Sequence, residues 1–130
     1  KQHGNHVQIL TKGNGSRDFD LLDSDDWYGV TIDGSESTEE YVRRLFGVFE
    51  AHKRGIKTWL SLEPVLDANR VLNAICAAPR EINKIKIGKL NYHPSSINWK
   101  AFGIEAEKLC NDLGVDYYIK ESLRAEMNKP

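Results

Sequence analysis

Short runs of β-branched and other apolar residues alternate along this chain with longer stretches of helical periodicity. This alternation is typical of βαβ units, in which right-handed helical crossovers join consecutive parallel strands. Five strands are predicted, at Val7 to Lys12, Tyr28 to Asp33, Lys57 to Glu63, Lys84 to Leu90 and Asp116 to Lys120. The order of elements therefore favours an α/β fold built on a parallel sheet.

Capping signals and apolar stripes predict three helices between the later strands. They run from the capping box Ser37-x-x-Glu40 to a stop at Gly55, from Asp67 to just before Pro79, and from Ser96 or Asn98 to Gly114. The two cysteines, Cys76 and Cys110, fall on the apolar stripes of the second and third helices. Both are interpreted as small buried apolar residues.

Each predicted strand has one aliphatic face and one partly polar face, because residues i and i+2 point the same way. Val30 and Ile32 illustrate the aliphatic faces. The polar faces carry Gln8, Lys12, Thr31, Asp33, Ser61, Glu63 and Lys86. A doubly wound sheet is covered on both sides and has continuous apolar strands. The pattern predicts instead a partial (β/α) barrel of TIM type, with four to five parallel strands, outer helices and a polar lumen.

Composition limits the partners and the compartment. The 130 residues suit a single domain, and 18 Lys and Arg against 19 Asp and Glu give a formal net charge of -1. Such a balance gives no support to nucleic acid or anionic lipid as a partner. The sequence shows neither a signal peptide nor a long apolar run, which predicts a cytoplasmic protein without membrane contact. The chain starts at Lys1 and almost directly enters a strand, so it is interpreted as a piece of a longer protein.

The candidate site lies at the carboxyl ends of the strands, where barrel enzymes place their functional groups. Glu63 is the strongest single candidate, because it ends an apolar strand, precedes Pro64 and needs a partner for its charge. Either Lys12 or Lys86 supplies that partner, or these lysines bind a ligand carboxylate or phosphate. Gly88, on the face of Lys86, marks a close approach to a ligand or a bulge.

The histidines do not suggest a metal site. The HGNH stretch at 3–6 has no carboxylate or cysteine at metal-ligand spacing. His93 lies in a predicted loop and is interpreted as an exposed residue.

Four segments together resemble a known family. They are ILTKG at 9–13, GVTID at 29–33, HKRGIKTWLSLEPV at 52–65 and KIGKLNYHP at 86–94. The series resembles the later strands of radical S-adenosylmethionine enzymes, in the branch of spore photoproduct lyase and the DNA repair photolyase-like proteins. The resemblance covers about residue 7 to residue 122. It implies a six-unit partial barrel to which this chain supplies the third to sixth strands.

The resemblance also implies roles for individual residues. Lys12 corresponds to the residue that meets the carboxylate of S-adenosylmethionine, and Thr31 to a polar contact from the next strand. Glu63 and the segment from Lys86 to Asn91 resemble the strand ends around the adenosyl group and the substrate. Ser61 belongs to the same cofactor side.

The sequence departs from this family in one essential motif. The family holds a four-iron, four-sulfur cluster with CxxxCxxC, and no such motif occurs in these 130 residues. Cys76 and Cys110 cannot replace it. The expectation is therefore an intact parent that uses S-adenosylmethionine and the cluster. The chain alone is then inactive and binds no cofactor, and its main partner is the missing amino-terminal half of the barrel.

Two other hypotheses stay open. One is a barrel hydrolase in which Asp33 and Glu63 flank a sugar bond, with their carboxyl groups about 5 Å or roughly 6.5 to 9.5 Å apart. The other is a non-catalytic half-barrel that forms a homodimer through its exposed edge strand, at Val7 to Thr11.

Overall fold

Strands and helices alternate through the chain in the computed structural model, which describes residues 8–11, 22, 25–77 and 79–130. The elements are β1 (Gln8–Thr11), β2 (Trp27–Thr31), α1 (Thr38–Lys53), β3 (Lys57–Val65), α2 (Ala68–Ala77), β4 (Lys84–Lys89), α3 (Trp99–Leu113), β5 (Asp116–Ile119) and α4 (Glu121–Met127). All strand pairs are parallel, and the strands lie side by side in sequence order. The predicted α/β class with a parallel sheet and flanking helices is confirmed.

The aliphatic face of the sheet packs against the helices. Its residues Val30, Ile32, Leu60, Leu62, Ile85 and Ile87 are completely buried. They form one core with helix residues such as Val48, Ile75 and Phe102. Burying a side chain of this size contributes about 1.5–3 kcal/mol, so the core is the main source of stability. Side chains alternate between the two faces along each strand, so the residues between these core positions point to the other face. We call it the inner face. Its residues include Trp27, Gly29, Thr31, Trp59, Ser61, Glu63, Lys84, Lys86, Gly88, Tyr118 and Lys120.

The helix boundaries follow the capping residues seen in the sequence. Ser37 precedes α1, and its hydroxyl accepts a hydrogen bond from the Glu40 amide at 3.1 Å. Asn98 caps α3 in the same way. Gly114 ends α3 at φ 71°, in the left-handed region that favours glycine. Within the described residues, no helix combines the length and apolar character needed to cross a bilayer.

Strand β3 differs from its prediction, because it does not end at Glu63. It continues through Pro64 to Val65, and its register against β4 shifts between Leu62 and Val65. A proline is tolerated in a strand where the regular ladder is interrupted, since no ladder hydrogen bond is then lost. The peptide bond between Glu63 and Pro64 is cis.

The two cysteines differ in environment. Cys110 is buried on α3, and burial raises the pKa of its thiol to about 11. Cys76 is exposed on α2, so its predicted burial is wrong. The α2 stripe buries Val71, Ala74 and Ile75 instead, and Cys76 lies just beyond that stripe.

Helix α4 was not predicted from the sequence. It is seven residues long, and Lys120 at its amino end makes no side-chain capping hydrogen bond. The helix is held by burial of Leu123 and Met127 in the common core. Tertiary packing rather than a local signal therefore forms this element.

Candidate functional site

The register of the sheet places residues of different strands side by side on the inner face. Thr31 of β2 lies opposite Ser61 of β3, which lies opposite Lys86 of β4. We call these three residues the middle row. Neighbouring strands are about 4.8 Å apart, so three of the residues predicted from the sequence are adjacent in space.

Two hydroxyl groups of the middle row are available for a ligand. Thr31 is 6% exposed and Ser61 is 5% exposed. Among the described residues, the structure gives no hydrogen bond for either hydroxyl. A hydroxyl can both donate and accept a hydrogen bond. The row therefore offers two polar groups in a largely buried position.

The ammonium group of Lys86 lies over an indole ring. Its Nζ lies 4.7 Å from the centroid of the Trp59 ring, toward the amino-terminal end of the strands. Such a position over an indole is a cation–π contact. Lys86 is therefore not the partner of Glu63, contrary to one option drawn from the sequence. Lys12, the other option, lies outside the described residues.

The partner of Glu63 is Lys120. Its Nζ lies 3.1 Å from Oε2 of Glu63, and the two side chains are 49% and 30% exposed, respectively. Gly88 of β4 makes room for this pair, since a Cβ at Gly88 would lie 2.8 Å from Oε2 and 3.1 Å from Cβ of Glu63. The sequence left two options at Gly88, close approach to a ligand or a bulge. The structure shows a close approach by a side chain of this chain, beside a shift of register between β3 and β4. We call Glu63, Gly88 and Lys120 the carboxyl-end cluster.

Sequence reasoning missed Lys120 as a site residue. It was assigned to the end of the fifth predicted strand, and its parity with Tyr118 places both on the inner face. The spacing of two residues between Tyr118 and Lys120 could therefore have identified Lys120 as a residue of the inner face. What the sequence could not show is that β5 lies beside β4 and so brings Lys120 to Glu63.

Asp33 lies in the loop between β2 and α1, and its side chain is hydrogen-bonded within that loop. Its Oδ1 accepts hydrogen bonds from the Ser35 amide at 2.8 Å and the Ser35 hydroxyl at 2.6 Å. Its carbonyl oxygen accepts hydrogen bonds from the amides of Leu66 at 2.7 Å and Asp67 at 3.2 Å. Asp33 therefore links the loop after β2 to the loop after β3.

A buried ion pair supports the same loop. Arg44 of α1 and Glu36 approach to 3.0 Å, with side chains 11% and 1% exposed. Arg44 also donates to the carbonyl oxygen of Thr31 at 2.8 Å. Glu36 accepts from the amides of Asp33 at 2.9 Å and Gly34 at 3.1 Å. The pair thus fixes the backbone on both sides of the carboxyl end of β2, and sequence reasoning missed it.

Asn91 is not brought together with the other predicted residues. It is exposed and lies in the loop after β4, where Tyr92 has a positive φ of 67° and is fully exposed. His93 is exposed in the same loop. A contact between Asn91 and a ligand at the middle row would require this loop to fold inward.

The described residues do not fit an iron–sulfur cluster. They contain no group of three or more His, Cys, Asp or Glu side chains able to hold a metal ion. Cluster iron is bound by several thiolates. Cys110 is buried as a thiol with a raised pKa, and Cys76 stands exposed on a different helix. The polar groups of the inner face, by contrast, suit an organic ligand with hydroxyl, ammonium or carboxylate groups.

No protein-family model matches this chain, and a comparison with curated proteins gives no match.

Proposed function

We propose that this chain is the carboxyl-terminal part of a radical S-adenosylmethionine enzyme with a partial (β/α) barrel. In this proposal, the carboxyl-terminal half of the inner face forms part of the site for S-adenosylmethionine and substrate. The observation that carries the proposal is the adjacent pair of Thr31 and Ser61, two largely buried residues whose hydroxyls form no hydrogen bond among the described residues. They lie in one row, on the opposite face from the helix-covered core.

The topology supports a partial barrel. Five parallel strands in sequence order, with the aliphatic face buried under helices, form the arrangement of successive units in a barrel wall. A barrel has side chains of one parity directed inward. Thr31, Ser61 and Glu63 share that parity, which supports a polar lumen near the strand ends.

The available groups match the polar parts of S-adenosylmethionine. Hydroxyls such as those of Thr31 and Ser61 bind ribose hydroxyls, and a carboxylate such as Glu63 accepts from a hydroxyl or an ammonium group. Lys120 neutralises Glu63 and provides a cation for a ligand carboxylate. The predicted contact between Lys12 and the cofactor carboxylate stays a prediction.

S-adenosylmethionine in such enzymes supplies a 5'-deoxyadenosyl radical. The cysteines of this chain do not fit the required cluster, so the proposal assigns the cluster to a CxxxCxxC segment that the printed sequence does not contain. The chain by itself is then expected to be inactive. Its residues bind and orient the ligand.

The hydrolase hypothesis has less support. Oδ1 of Asp33 already accepts two hydrogen bonds from Ser35. Glu63 is paired with Lys120. A nucleophile or a general base needs a carboxylate directed at the substrate, and neither group shows that arrangement.

The test uses the intact parent protein, purified without oxygen and reconstituted with iron and sulfide. Under reduction it should convert S-adenosylmethionine to 5'-deoxyadenosine, measured by chromatography. A preparation fully loaded with cluster that forms no product would overturn the proposal.

Variants of the middle row test the site itself. Thr31→Val and Ser61→Ala should each weaken S-adenosylmethionine binding, measured by equilibrium dialysis, about threefold to tenfold, since one hydrogen bond is lost. Ser96→Ala removes an exposed hydroxyl outside the row and serves as the matched control. Unchanged affinity in both row variants would exclude this face as the site.

A further inference from the structure

The amino-terminal end of the inner face carries a second set of functional groups, which the proposed function does not use. Trp27, Lys57 and Lys84 are the first residues of β2, β3 and β4. Trp59 and Lys86 follow two positions later on the same face of β3 and β4. We call these five residues the tryptophan–lysine cluster. It lies toward the opposite end of the strands from Glu63.

Four residues of the cluster line a half-open pocket. Trp27, Trp59, Lys84 and Lys86 line a space of about 140 Å³. A cavity of roughly 150 Å³ holds one benzene molecule. The space therefore suits one six-membered ring, or one ring edge with an attached anionic group.

Two features hold the indole and ammonium groups in place. A Cβ at Gly29 would overlap the five-membered ring of Trp59, so the absence of a side chain at Gly29 lets this indole lie flat across β2. Lys86 Nζ lies 4.7 Å from the Trp59 ring, and Lys57 Nζ lies 5.6 Å from the Trp27 ring. These contacts keep two positive charges beside aromatic surface. The cavity is thus built by packing across neighbouring strands.

The lysines of the cluster lack direct salt bridges within the described part of the chain. None of Lys57, Lys84 and Lys86 forms an ion pair there. Two carboxylates lie near these lysines in the sheet, Asp26 beside Trp27 and Asp116 opposite Lys84, and Asp116 forms no salt bridge with Lys84. Neighbouring like charges disfavour one another. An anion beside Lys84 and Lys86, which line the same pocket, would offset their positive charge.

We infer that the tryptophan–lysine cluster binds a small phosphorylated aromatic compound, of the chemistry of a pyrimidine nucleoside monophosphate. The phosphate group pairs with Lys84 and Lys86 as a charge-assisted contact. The ring contacts the indoles of Trp27 and Trp59, which offer stacking surface to any base. Lys86 belongs to both the middle row and this cluster, but the proposed function assigns no S-adenosylmethionine contact to it. The site therefore does not depend on the proposed function.

The test is isothermal titration of the full-length protein with uridine monophosphate. Inorganic phosphate, uridine and a short single-stranded oligonucleotide are titrated in parallel. Uridine monophosphate should bind more tightly than either of its parts, and its affinity should fall as salt is raised, because salt screens the lysine charges. Binding of the oligonucleotide without binding of uridine monophosphate would overturn the inference in favour of a polymer surface.

Substitutions locate the binding. Lys84→Gln and Lys86→Gln should each raise the Kd for uridine monophosphate about tenfold, since each removes one charged contact to phosphate. Lys108→Gln on α3 makes the same charge change at an exposed pair with Asp112 and should leave the Kd unchanged. Thr31→Val should also leave it unchanged. Equal affinity in the wild type and both cluster variants would overturn the inference.

Discussion

Two glycines of the inner face act through the side chains that their neighbours extend over them. Gly29 lies under the Trp59 indole, and Gly88 lies under Glu63. The sequence indicated a close approach at Gly88 but not the approaching group. Both neighbours belong to β3, the central strand of the sheet. These positions therefore fix how the large side chains of β3 lie across the strands on either side.

Gly88→Ala should lower the free energy of unfolding by about 1–3 kcal/mol, because the new methyl group would lie 2.8 Å from Oε2 of Glu63. Gly29→Ala should cost more, since the rigid Trp59 ring cannot turn aside as a flexible carboxylate can. Urea unfolding followed by circular dichroism measures both changes.

The loss at Gly88→Ala could come from the clash with Glu63 or from a general effect of alanine in a strand. A second variant that lacks the Glu63 carboxylate separates the two causes. In a Glu63→Ala protein the carboxylate is absent, so Gly88→Ala should cost less there than in the wild type. The same cost in both backgrounds would contradict the contact as the cause.

The connection between β2 and α1 is the element most strongly held by charge. Glu36 is nearly completely buried and receives two backbone amides as well as Arg44. Removal of one partner from a buried pair leaves the other charge uncompensated. The geometry of Thr31 and Asp33 therefore depends on Arg44, a helix residue that contacts no proposed ligand.

Arg44→Met should lower the free energy of unfolding by about 3–5 kcal/mol, the usual cost of leaving a buried charge without its partner. Arg43→Met is the control on the same helix. Its pair with Glu39 is exposed, at 51% and 84%, and should contribute about 0.5 kcal/mol or less. Chemical denaturation of both variants gives the comparison, and equal losses would show that the buried pair has no special role.

The elements that the sequence predicted best are those with a local signal. The alternation of apolar and polar residues predicted the bounds of β2 and β4 to within two residues. Ser37 predicted the start of α1, and Gly114 predicted the end of α3. Helix α4 lacks such a signal, because packing of Leu123 and Met127 forms it.

Part of the candidate site also follows from local sequence patterns, and the rest depends on tertiary structure. Thr31, Ser61 and Lys86 fall in one row because each strand is parallel to the next, which the βαβ pattern indicates. The pairing of Glu63 with Lys120 depends on the irregular register after Leu62 and on the place of β5. No local pattern encodes either feature. The direction of Lys86 toward Trp59 likewise depends on the glycine beneath that ring.

At the scale of the whole molecule, the sheet of the described residues has β1 at one edge and β5 at the other. An edge strand leaves backbone groups able to pair with another chain. Leu10 of β1 is 48% exposed on this edge. The prediction of self-association through the first strand is consistent with this position and stays a prediction.

Leu10→Lys should weaken this association, since a charged side chain on an edge strand opposes pairing with a second sheet. Sedimentation velocity over a range of concentrations should show a dimer for the wild type and a shift of about tenfold or more in its dissociation constant for the variant. Phe46→Lys, at another exposed apolar residue, is the control and should have no such effect. A wild-type chain that stays monomeric throughout the range would contradict the prediction.

The sequential order of the strands has a consequence for synthesis. Each strand pairs with the strand made just before it, and each helix packs on elements close to it in the chain. As the polypeptide leaves the ribosome, every new unit finds its neighbour already in place. Each parallel pair still has to close a whole crossover before its contacts form, and such pairing is intrinsically slow. The chain can nevertheless assemble in the direction of translation, with Lys120 reaching Glu63 only near the end, when the ligand side of the sheet is completed.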